Sequence, residues 1–304
     1  SAEGAYQWEQ CTKNPGHLEF IPANEFSIDH LPKEYQDLQV YEYIQQLSLL
    51  TVKITVKYTS LDRPDGYPFA NFRGKRITHS GSGCIRQAGD PYERKVYKET
   101  CPCVTCIQSG NPMQMWWDCS IITAKHVVFN EEEAKSTVVE VFYDDEKSKD
   151  KVKLLYGVKI VEENTTGDRC EFVCVTHDEK LVDQFRNTPE SSLMLHRTFS
   201  RGCYPTLGKE NANLCVVISH PHGCSKQITI GHWKNCLKQG EDTVRDSEYT
   251  PWYESYLAYT YDTPTCPGSS GGSMLILGLW DPRWTYILAG YYFCHTHKSG
   301  KVIN

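Results

Sequence analysis

The stretch Thr-Cys-Pro-Gly-Ser-Ser-Gly-Gly at residues 265–272 constrains the fold of the 304-residue chain more than any other. Apolar stretches at 256–261 and 273–279 bracket it, which predicts a turn between two strands. Gly268 permits backbone angles closed to other residues, so consecutive amide N–H groups can converge on one concavity. If the Ser270 hydroxyl attacked a carbonyl, the amides of Gly268 and Ser270 would hold the oxyanion. A simple glycine-serine hairpin tip has the same composition. The motif therefore indicates a nucleophile only if the sequence also supplies a general base.

A serine hydroxyl is a poor nucleophile without a base, and His126 has the matching context. It lies in Ser-Ile-Ile-Thr-Ala-Lys-His-Val-Val-Phe, where an apolar run delivers the imidazole to a strand end. The pair of motifs, Thr-Ala-x-His-Val and then Pro-Gly-Ser-Ser-Gly-Gly, resembles the chymotrypsin-like (trypsin-fold) serine proteases. Within them it is more similar to the intracellular, HtrA-like branch than to the digestive enzymes, over about residues 50–300.

The resemblance implies an all-β fold of two six-stranded antiparallel β-barrels. The chain is long enough for both, with an extension and an insertion left over. The expected domains are an N-terminal extension at 1–48, an N-terminal barrel at 49–186 that carries His126 and a cysteine-containing insertion at 86–118, and a C-terminal barrel at 187–304 that carries Ser270.

Periodicity predicts several elements independently of the resemblance. Apolar residues at helical spacing after Pro32 predict an amphipathic helix over 33–48, which we expect to pack on the protein body. A second helix is predicted at 179–186. Alternation predicts a first barrel strand within 50–58, and an apolar run predicts a strand at 214–219. Gly81-Ser82-Gly83 resembles the turn that precedes the histidine strand in the family.

Two acids compete for the position that orients His126. The family places an acid at the head of a strand of pattern acid-φ-Ala-φ-φ, where φ is apolar, and Glu171-Phe-Val-Cys-Val matches it with Glu in place of Asp. Asp168 lies three residues earlier and is the alternative. An orienting carboxylate holds the histidine tautomer and stabilises the imidazolium. The sequence favours Glu171 over Asp168.

The insertion contributes Cys101, Cys103 and Cys106, which join Cys84 as four thiols in a polar segment. Four thiolates around tetrahedral Zn²⁺ would order such a loop. The Cys-x-Cys-x-x-Cys spacing is tighter than in most zinc knuckles, so disulfides and free thiols remain alternatives. No cofactor is expected for catalysis. His220 and His222 flank a Pro-Gly turn, which favours a role in the turn over metal binding.

Substrate recognition is predicted at two places. Pro264 stands six residues before Ser270, where trypsin relatives that select Lys or Arg carry an Asp, so a preference for basic side chains is not expected. The edge strand that would pair with a peptide is expected at Tyr292, Phe293, Cys294 and His295.

The motifs together predict a serine endopeptidase that forms an acyl-enzyme. Secreted trypsin-like enzymes pair a new N-terminal ammonium with an Asp directly before the nucleophile. Ser269 occupies that position here, so activation without N-terminal cleavage is expected. The alternative is an inactive protease-fold scaffold or peptide-binding module. Inactive members of the family commonly lose the catalytic histidine or the catalytic serine. This sequence retains both, as His126 and Ser270.

Composition limits the partners and the compartment. A net charge of −6 does not favour nucleic-acid binding, which usually requires a basic surface, and a polypeptide substrate is expected instead. No apolar run approaches 18 residues, so no membrane partner is predicted. Several of the 14 cysteines lie in apolar runs, which favours a reduced, cytoplasmic protein. A secreted protein with oxidised pairs is the alternative.

Overall fold

A computed structural model describes residues 5–88, 99–147, 149–165, 167–186, 213–239, 256–277, 293–294 and 301–303. Its α-helices are α1 (Ala5–Glu9), α2 (Leu38–Leu50), α3 (Val104–Ser109), α4 (Glu131–Lys135) and α5 (Glu179–Arg186). Single 3₁₀ turns lie at Pro15–His17, Ile28–His30, Lys33–Tyr35, Ala70–Phe72, Lys149–Lys151 and Pro221–Gly223. None of the helices in these ranges is long and apolar enough to cross a membrane.

Six antiparallel strands close into a barrel. They are β2 (Thr51–Val56), β3 (His79–Ala88), β4 (Trp117–Ala124), β5 (Thr137–Val141), β6 (Lys153–Asn164) and β7 (Arg169–Thr176), and the hydrogen-bonded order is β2-β3-β4-β7-β6-β5. β5 pairs back onto β2, which closes the ring. Closure removes the unpaired strand edges of an open sheet. The first predicted barrel is therefore present.

The barrel interior is filled by the alternate apolar side chains that the sequence pattern predicts. Val52, Ile54 and Val56 of β2 are fully buried, and Ile121 and Phe172 meet them from β4 and β7. Each such side chain contributes about 2 kcal/mol through removal of its surface from water.

Gly81 and Gly83 lie inside β3 and not in a turn, contrary to the expectation from the family motif. A Cβ at Gly81 would stand 2.5 Å from Val127 Cγ1, and one at Gly83 would stand 2.7 Å from Ile54 Cδ1. The missing side chains at Gly81 and Gly83 thus allow Val127 and Ile54 to pack closely against the backbone of β3. This brings the segment after His126 against β3.

The second half of the chain forms a sheet that belongs to the same mainly β architecture. Its strands are β1 (Ile21–Pro22), β8 (Leu214–Ser219), β9 (Gln227–Gln239), β10 (Tyr256–Tyr261), β11 (Ser273–Ile276), β12 (Phe293–Cys294) and β13 (Lys301–Ile303). The order is β12-β11-β8-β9-β10-β13, and β1 pairs with β9. Within the described ranges this sheet does not close, so a second barrel stays a prediction, as do the domain limits.

Helix α2 overlaps the amphipathic helix that the periodicity predicts, but it spans Leu38–Leu50 instead of 33–48, and it packs on the second sheet. Asp37 caps it, because its side chain accepts a hydrogen bond from the Gln39 amide at 2.8 Å. The buried face joins one apolar cluster with the second sheet; its members include Val40, Ile44, Leu47, Val216, Ile218, Ile228 and Leu275. The N-terminal segment is therefore part of the core beneath β8 and β11.

Candidate active site

His126 stands just beyond the end of β4 and is held by one carboxylate through two contacts. Its ring Nδ1 lies 2.6 Å from Asp168 Oδ2, and its backbone N–H donates to Asp168 Oδ1 at 2.9 Å. Because a carboxylate oxygen only accepts, Nδ1 carries the hydrogen when the ring is neutral. The other ring nitrogen, Nε2, is then the proton acceptor. This is the geometry of an oriented general base.

Asp168 reaches His126 from the turn that leads into β7. It has a positive φ of 46°, uncommon for a residue with a side chain. Its carbonyl oxygen accepts from the Lys125 amide at 2.9 Å, next to His126. The turn before β7 and the turn after β4 are thereby tied together by main chain as well as side chain.

Among the described residues Glu171 forms no hydrogen bond or ion pair with His126, so these contacts favour Asp168, whereas the sequence pattern favours Glu171. Its carboxylate accepts from Ser120 Oγ at 2.5 Å, pairs with Arg86, and lies 3.1 Å from Arg169 Nη2. The physical reason is that β7 begins at Arg169, earlier than the apolar pattern indicates. Glu171 is a mid-strand residue opposite Ile122, and Asp168 is the acid at the strand head.

A buried ion pair supports the backbone of His126 from the far side. Arg63 Nη1 donates to the His126 carbonyl oxygen at 3.0 Å. Its Nε and Nη2 bind both oxygens of Glu133 at 2.7 and 2.6 Å, and both side chains are fully buried. Glu133 also accepts from the amides of Ser60 and Phe129. Sequence reasoning missed this pair, since 70 residues separate its members.

The Ser270 turn is built from short-range bonds and two left-handed glycines. Gly268 and Gly271 have φ values of 91° and 84°, which favour glycine. The Ser269 amide donates to the Cys266 carbonyl and the Gly272 amide donates to the Ser269 carbonyl, each at 3.0 Å. Ser269 itself is fully buried, whereas Ser270 is partly exposed. The hydroxyl-bearing residue at the accessible position is therefore Ser270.

The Ser270 turn packs on the same ends of β3 and β4 from which His126 projects. The Ser82 amide donates to the Ser270 carbonyl at 2.7 Å. A Cβ at Gly271 would meet the Ser82 carbonyl oxygen at 2.1 Å and Thr123 Oγ1 at 2.3 Å. Thr123 precedes His126 by three residues and itself donates to the Ser82 carbonyl at 2.7 Å. One corner of the molecule thus carries both predicted motifs.

The predicted substrate residues are only partly described. The Pro264 carbonyl oxygen accepts from Thr229 Oγ1 at 2.9 Å, beside the Ser270 turn. Phe293 and Cys294 form β12, which pairs antiparallel with β11. Tyr292 and His295 lie outside the described residues.

The insertion cysteines gather around a histidine and not around Cys84. The ligand atoms of Cys101, Cys103, Cys106 and His177 all lie within 4.8 Å of one another. His177 Nε2 is 3.2 Å from Cys101 Sγ and 3.5 Å from Cys106 Sγ. Burial, the largest cause, raises the pKa of the Cys101 thiol to about 12. The arrangement offers three sulfurs and one nitrogen, a donor set that suits tetrahedral Zn²⁺.

Cys84 is excluded from this cluster by its position in β3. It stands opposite Thr51 and Ile122 on the two adjacent strands and is part of the barrel core. Burial raises the pKa of its thiol to about 12, as expected for an inert structural cysteine. His177, which directly follows β7, lies with the three insertion sulfurs instead. No disulfide occurs among the eleven cysteines whose side chains the structure describes.

No protein-family model matches the chain, and no curated protein matches it. Among solved structures it is similar to the active form of the Rv3671c protease from M. tuberculosis, at 13% identity over 88% of this chain and 81% of that chain, with a TM-score of 0.39. It is also similar to the inactive form of Rv3671c protease, at 11% identity over 88% of this chain and 89% of that chain, with a TM-score of 0.36.

A third similar structure is the HtrA-type protease AlgW with decapeptide, at 13% identity over 86% of this chain, with a TM-score of 0.38. The chain spans 62% of that protein's length. At TM-scores below 0.5, these likenesses assign neither activity nor substrate to this chain. What the described residues show by themselves is a mainly β topology with one closed six-stranded barrel.

Proposed function

We propose that the chain is a serine-type endopeptidase. The observation that carries the proposal is the double contact between His126 and Asp168, with 2.6 Å between Nδ1 and Oδ2, in the corner where the Ser270 turn packs. A partly buried carboxylate that fixes both the ring and the backbone of one histidine holds the imidazole in the orientation that proton transfer requires. In this role Asp168 replaces Glu171 as the acid.

The mechanism assigns one task to each group. His126 Nε2 accepts the proton of the Ser270 hydroxyl as that oxygen attacks the peptide carbonyl, and Asp168 stabilises the imidazolium that forms. The imidazolium then protonates the leaving amine, which leaves an acyl group on Ser270. Water, deprotonated by the same imidazole, releases the acyl group and restores the enzyme.

The oxyanion is held by the amides of Gly268 and Ser270. The left-handed backbone at Gly268 supports this, because it turns successive N–H groups toward one side. The Gly268 carbonyl accepts from Ser82 Oγ at 2.8 Å, which fixes the orientation of the peptide plane that follows it. A donor held in place before the reaction contributes about 3 kcal/mol of transition-state stabilisation.

The substrate in this proposal is a polypeptide that binds as an added strand. β12 is the terminal strand of the hydrogen-bonded order within the described residues, and it adjoins β11, which directly follows the Ser270 turn. An extended peptide beside Phe293 and Cys294 would use main-chain hydrogen bonds that no particular side chain determines. Specificity would then come from side-chain pockets, to which Pro264 contributes no charge.

A structural zinc ion at Cys101, Cys103, Cys106 and His177 completes the proposal, and it takes no part in the chemistry. The backbone supports it: the Cys106 amide donates to Cys103 Sγ at 3.4 Å and the Met113 amide donates to Cys106 Sγ at 3.5 Å. Such N–H···S bonds stabilise thiolates. The ion would order an insertion with little apolar content of its own.

A fluorophosphonate probe tests the enzymatic proposal. We expect covalent labelling of the folded protein at pH 8, with mass spectrometry locating the adduct on Ser270, and no labelling of Ser270→Ala or of His126→Ala. Absence of labelling in well-folded wild-type protein would contradict the proposal and favour the inactive scaffold or peptide-binding module. Labelling at a different serine would contradict the assignment of Ser270.

A further inference from the structure

A second group of metal-binding side chains lies beside the Ser270 turn. The ligand atoms of Cys11, His17, His222 and Cys266 all lie within 4.8 Å of one another. Cys266 Sγ is 3.6 Å from Cys11 Sγ and 3.4 Å from His17 Nε2. Ligand atoms around tetrahedral Zn²⁺ lie about 3.5–3.8 Å apart when the bonds are about 2.1 and 2.3 Å long. The observed separations are of that size.

Three ring nitrogens in this cluster are buried without a hydrogen-bond partner: Nδ1 and Nε2 of His222 and Nδ1 of His17. Only 3% of His222 and 4% of His17 is exposed. A buried polar atom left unpaired costs about 1–3 kcal/mol, so such atoms are rare in folded proteins. Ligation of a cation by one nitrogen of His222, together with His17 Nε2 that faces Cys266, would satisfy one of these three atoms.

Both histidines also have strained backbones. The φ values are 47° at His17 and 55° at His222, in the left-handed region that side chains disfavour. Each costs about 1 kcal/mol or more and persists only when the surroundings determine it. Each of the two rings has a nitrogen within 4.8 Å of Cys266 Sγ, as a shared ligand requires.

Asn14 supports the two sulfurs from one side. Its backbone N–H donates to Cys11 Sγ at 3.4 Å, and its side-chain amide donates to Cys266 Sγ at 3.0 Å. Donors of this kind stabilise thiolates and orient metal ligands. Trp8 stacks on the His17 ring at 3.7 Å between centroids and shields it from water. The cluster therefore has the second layer of contacts that metal sites have.

We propose that Cys11, His17, His222 and Cys266 bind a zinc ion. Two thiolates and two imidazoles in tetrahedral arrangement suit Zn²⁺ better than a hard cation, which prefers oxygen ligands. A Cys11–Cys266 disulfide is the rival explanation. The 3.6 Å between the two sulfurs is far longer than a bond of about 2.05 Å, and a disulfide would leave both histidines unexplained.

The site joins the N-terminal segment to the loop that carries the nucleophile. Cys266 precedes Gly268 by two residues, and the His222 amide donates to the Pro267 carbonyl at 2.6 Å. Asn14 also donates to the Thr265 carbonyl at 3.0 Å. If Ser270 is the nucleophile, as proposed above, the zinc ion holds the oxyanion amides in place. Its ligands are then positioning residues, because none of them contacts the reacting atoms.

Zinc content measures the site without reference to activity. The full chain is purified under reducing conditions without added metal, and zinc is determined by elemental analysis for three proteins: wild type, Cys11→Ala/His17→Ala, and the matched control Cys224→Ala/His30→Ala. We expect the first pair of substitutions to remove about one equivalent of zinc per chain and the control to remove none. Equal zinc in all three would overturn the proposal.

Two further measurements separate the rival explanations. Both proteins are freed of zinc and titrated with cobalt. Wild type should show the absorption of a tetrahedral site with two thiolates in addition to that of the insertion site, and Cys11→Ala/His17→Ala should show the insertion site alone. Mass spectrometry of unreduced wild type that found a Cys11–Cys266 disulfide in place of zinc would overturn the site.

Labelling kinetics test the consequence for the active site. Once circular dichroism shows that Cys11→Ala/His17→Ala is folded, its fluorophosphonate reaction should be slower than that of wild type by about tenfold or more, because the oxyanion loop is less fixed. An unchanged rate would contradict the positioning role. Wild type that binds zinc here but is never labelled would refute the enzymatic proposal alone.

Discussion

Arg63 donates to the main-chain carbonyl of His126 through Nη1 at 3.0 Å, while its remaining nitrogens are occupied by Glu133. The imidazole is thus fixed from two directions. Asp168 holds the ring and the amide, and Arg63 holds the carbonyl. The position of His126 therefore depends on an ion pair that never contacts substrate.

Glu133→Gln should destabilise the fold strongly, because it leaves the buried Arg63 guanidinium without its counter-charge. We expect a loss of about 3–5 kcal/mol in the free energy of unfolding, measured by urea denaturation. Glu131→Gln is the control, since its ion pair with Lys135 is exposed, and it should cost less than about 0.5 kcal/mol. Similar losses in the two variants would contradict the role of the pair.

Asp168→Asn should reduce the second-order rate constant of fluorophosphonate labelling by about 10³–10⁴, because an amide cannot stabilise the imidazolium and favours the wrong tautomer. Glu171→Gln is the matched comparison. Its side chain bonds Ser120, Arg86 and Arg169, so its main effect should be on thermal stability. A larger kinetic effect at Glu171 than at Asp168 would show that the sequence pattern had identified the right acid.

Gly271→Ala should abolish labelling and lower the free energy of unfolding by more than about 3 kcal/mol, because the added methyl would overlap the Ser82 carbonyl and Thr123. Gly66→Ala is the control. Gly66 has a similar positive φ of 76°, but nothing lies within 4 Å of its Cβ position, so only about 1 kcal/mol of backbone strain is expected. Retained labelling in Gly271→Ala would refute the close packing of the turn.

His79 should make the fold acid-sensitive. Burial lowers its pKa to about 4, and its Nε2–H donates to the Val127 carbonyl at 3.0 Å. Below pH ~6.5 the unfolded chain binds a proton that the folded chain does not, so the free energy of unfolding falls as pH falls from ~6.5 towards 4. We expect His79→Gln to remove about 2 kcal/mol of the difference between pH 7 and pH 5, measured by urea denaturation.

The exposed histidine His30 provides the comparison for this experiment. His30→Gln controls for the substitution itself, because it replaces an imidazole by the same amide at the surface. An unchanged pH dependence in His79→Gln would show that the ring is not held neutral in the fold.

His177→Ala should remove about one equivalent of zinc from the insertion, because it deletes one of four ligands. Cys84→Ala should retain that zinc, since Cys84 lies in the barrel core. Elemental analysis of the two variants beside wild type decides the ligand set. Loss of zinc in Cys84→Ala with retention in His177→Ala would restore the four-cysteine site.

Local pattern was enough to predict several elements of the fold. Helix α5 and strands β8 and β10 have the predicted limits, because the apolar pattern of each segment fits one type of secondary structure and polar residues mark its ends. The contact of His126 with Asp168, and not with Glu171, could not be predicted from the sequence because it depends on where β7 begins, which tertiary pairing with β4 decides. His177 was missed because 71 residues separate it from Cys106. Sequence spacing carries no signal for such a contact.

The pairing of β1 with β9, together with α2 beneath β8, has a consequence for dividing the protein. Ile21 stands opposite Ile228, and the helix buries the apolar underside of β8, β9 and β11. The N-terminal segment therefore belongs to the core of the second sheet, although it precedes the first barrel in the sequence. A fragment starting after residue 186 would expose this apolar surface and should aggregate. Co-expression with a fragment spanning residues 5–50 should cover the surface again and keep the fragment in solution.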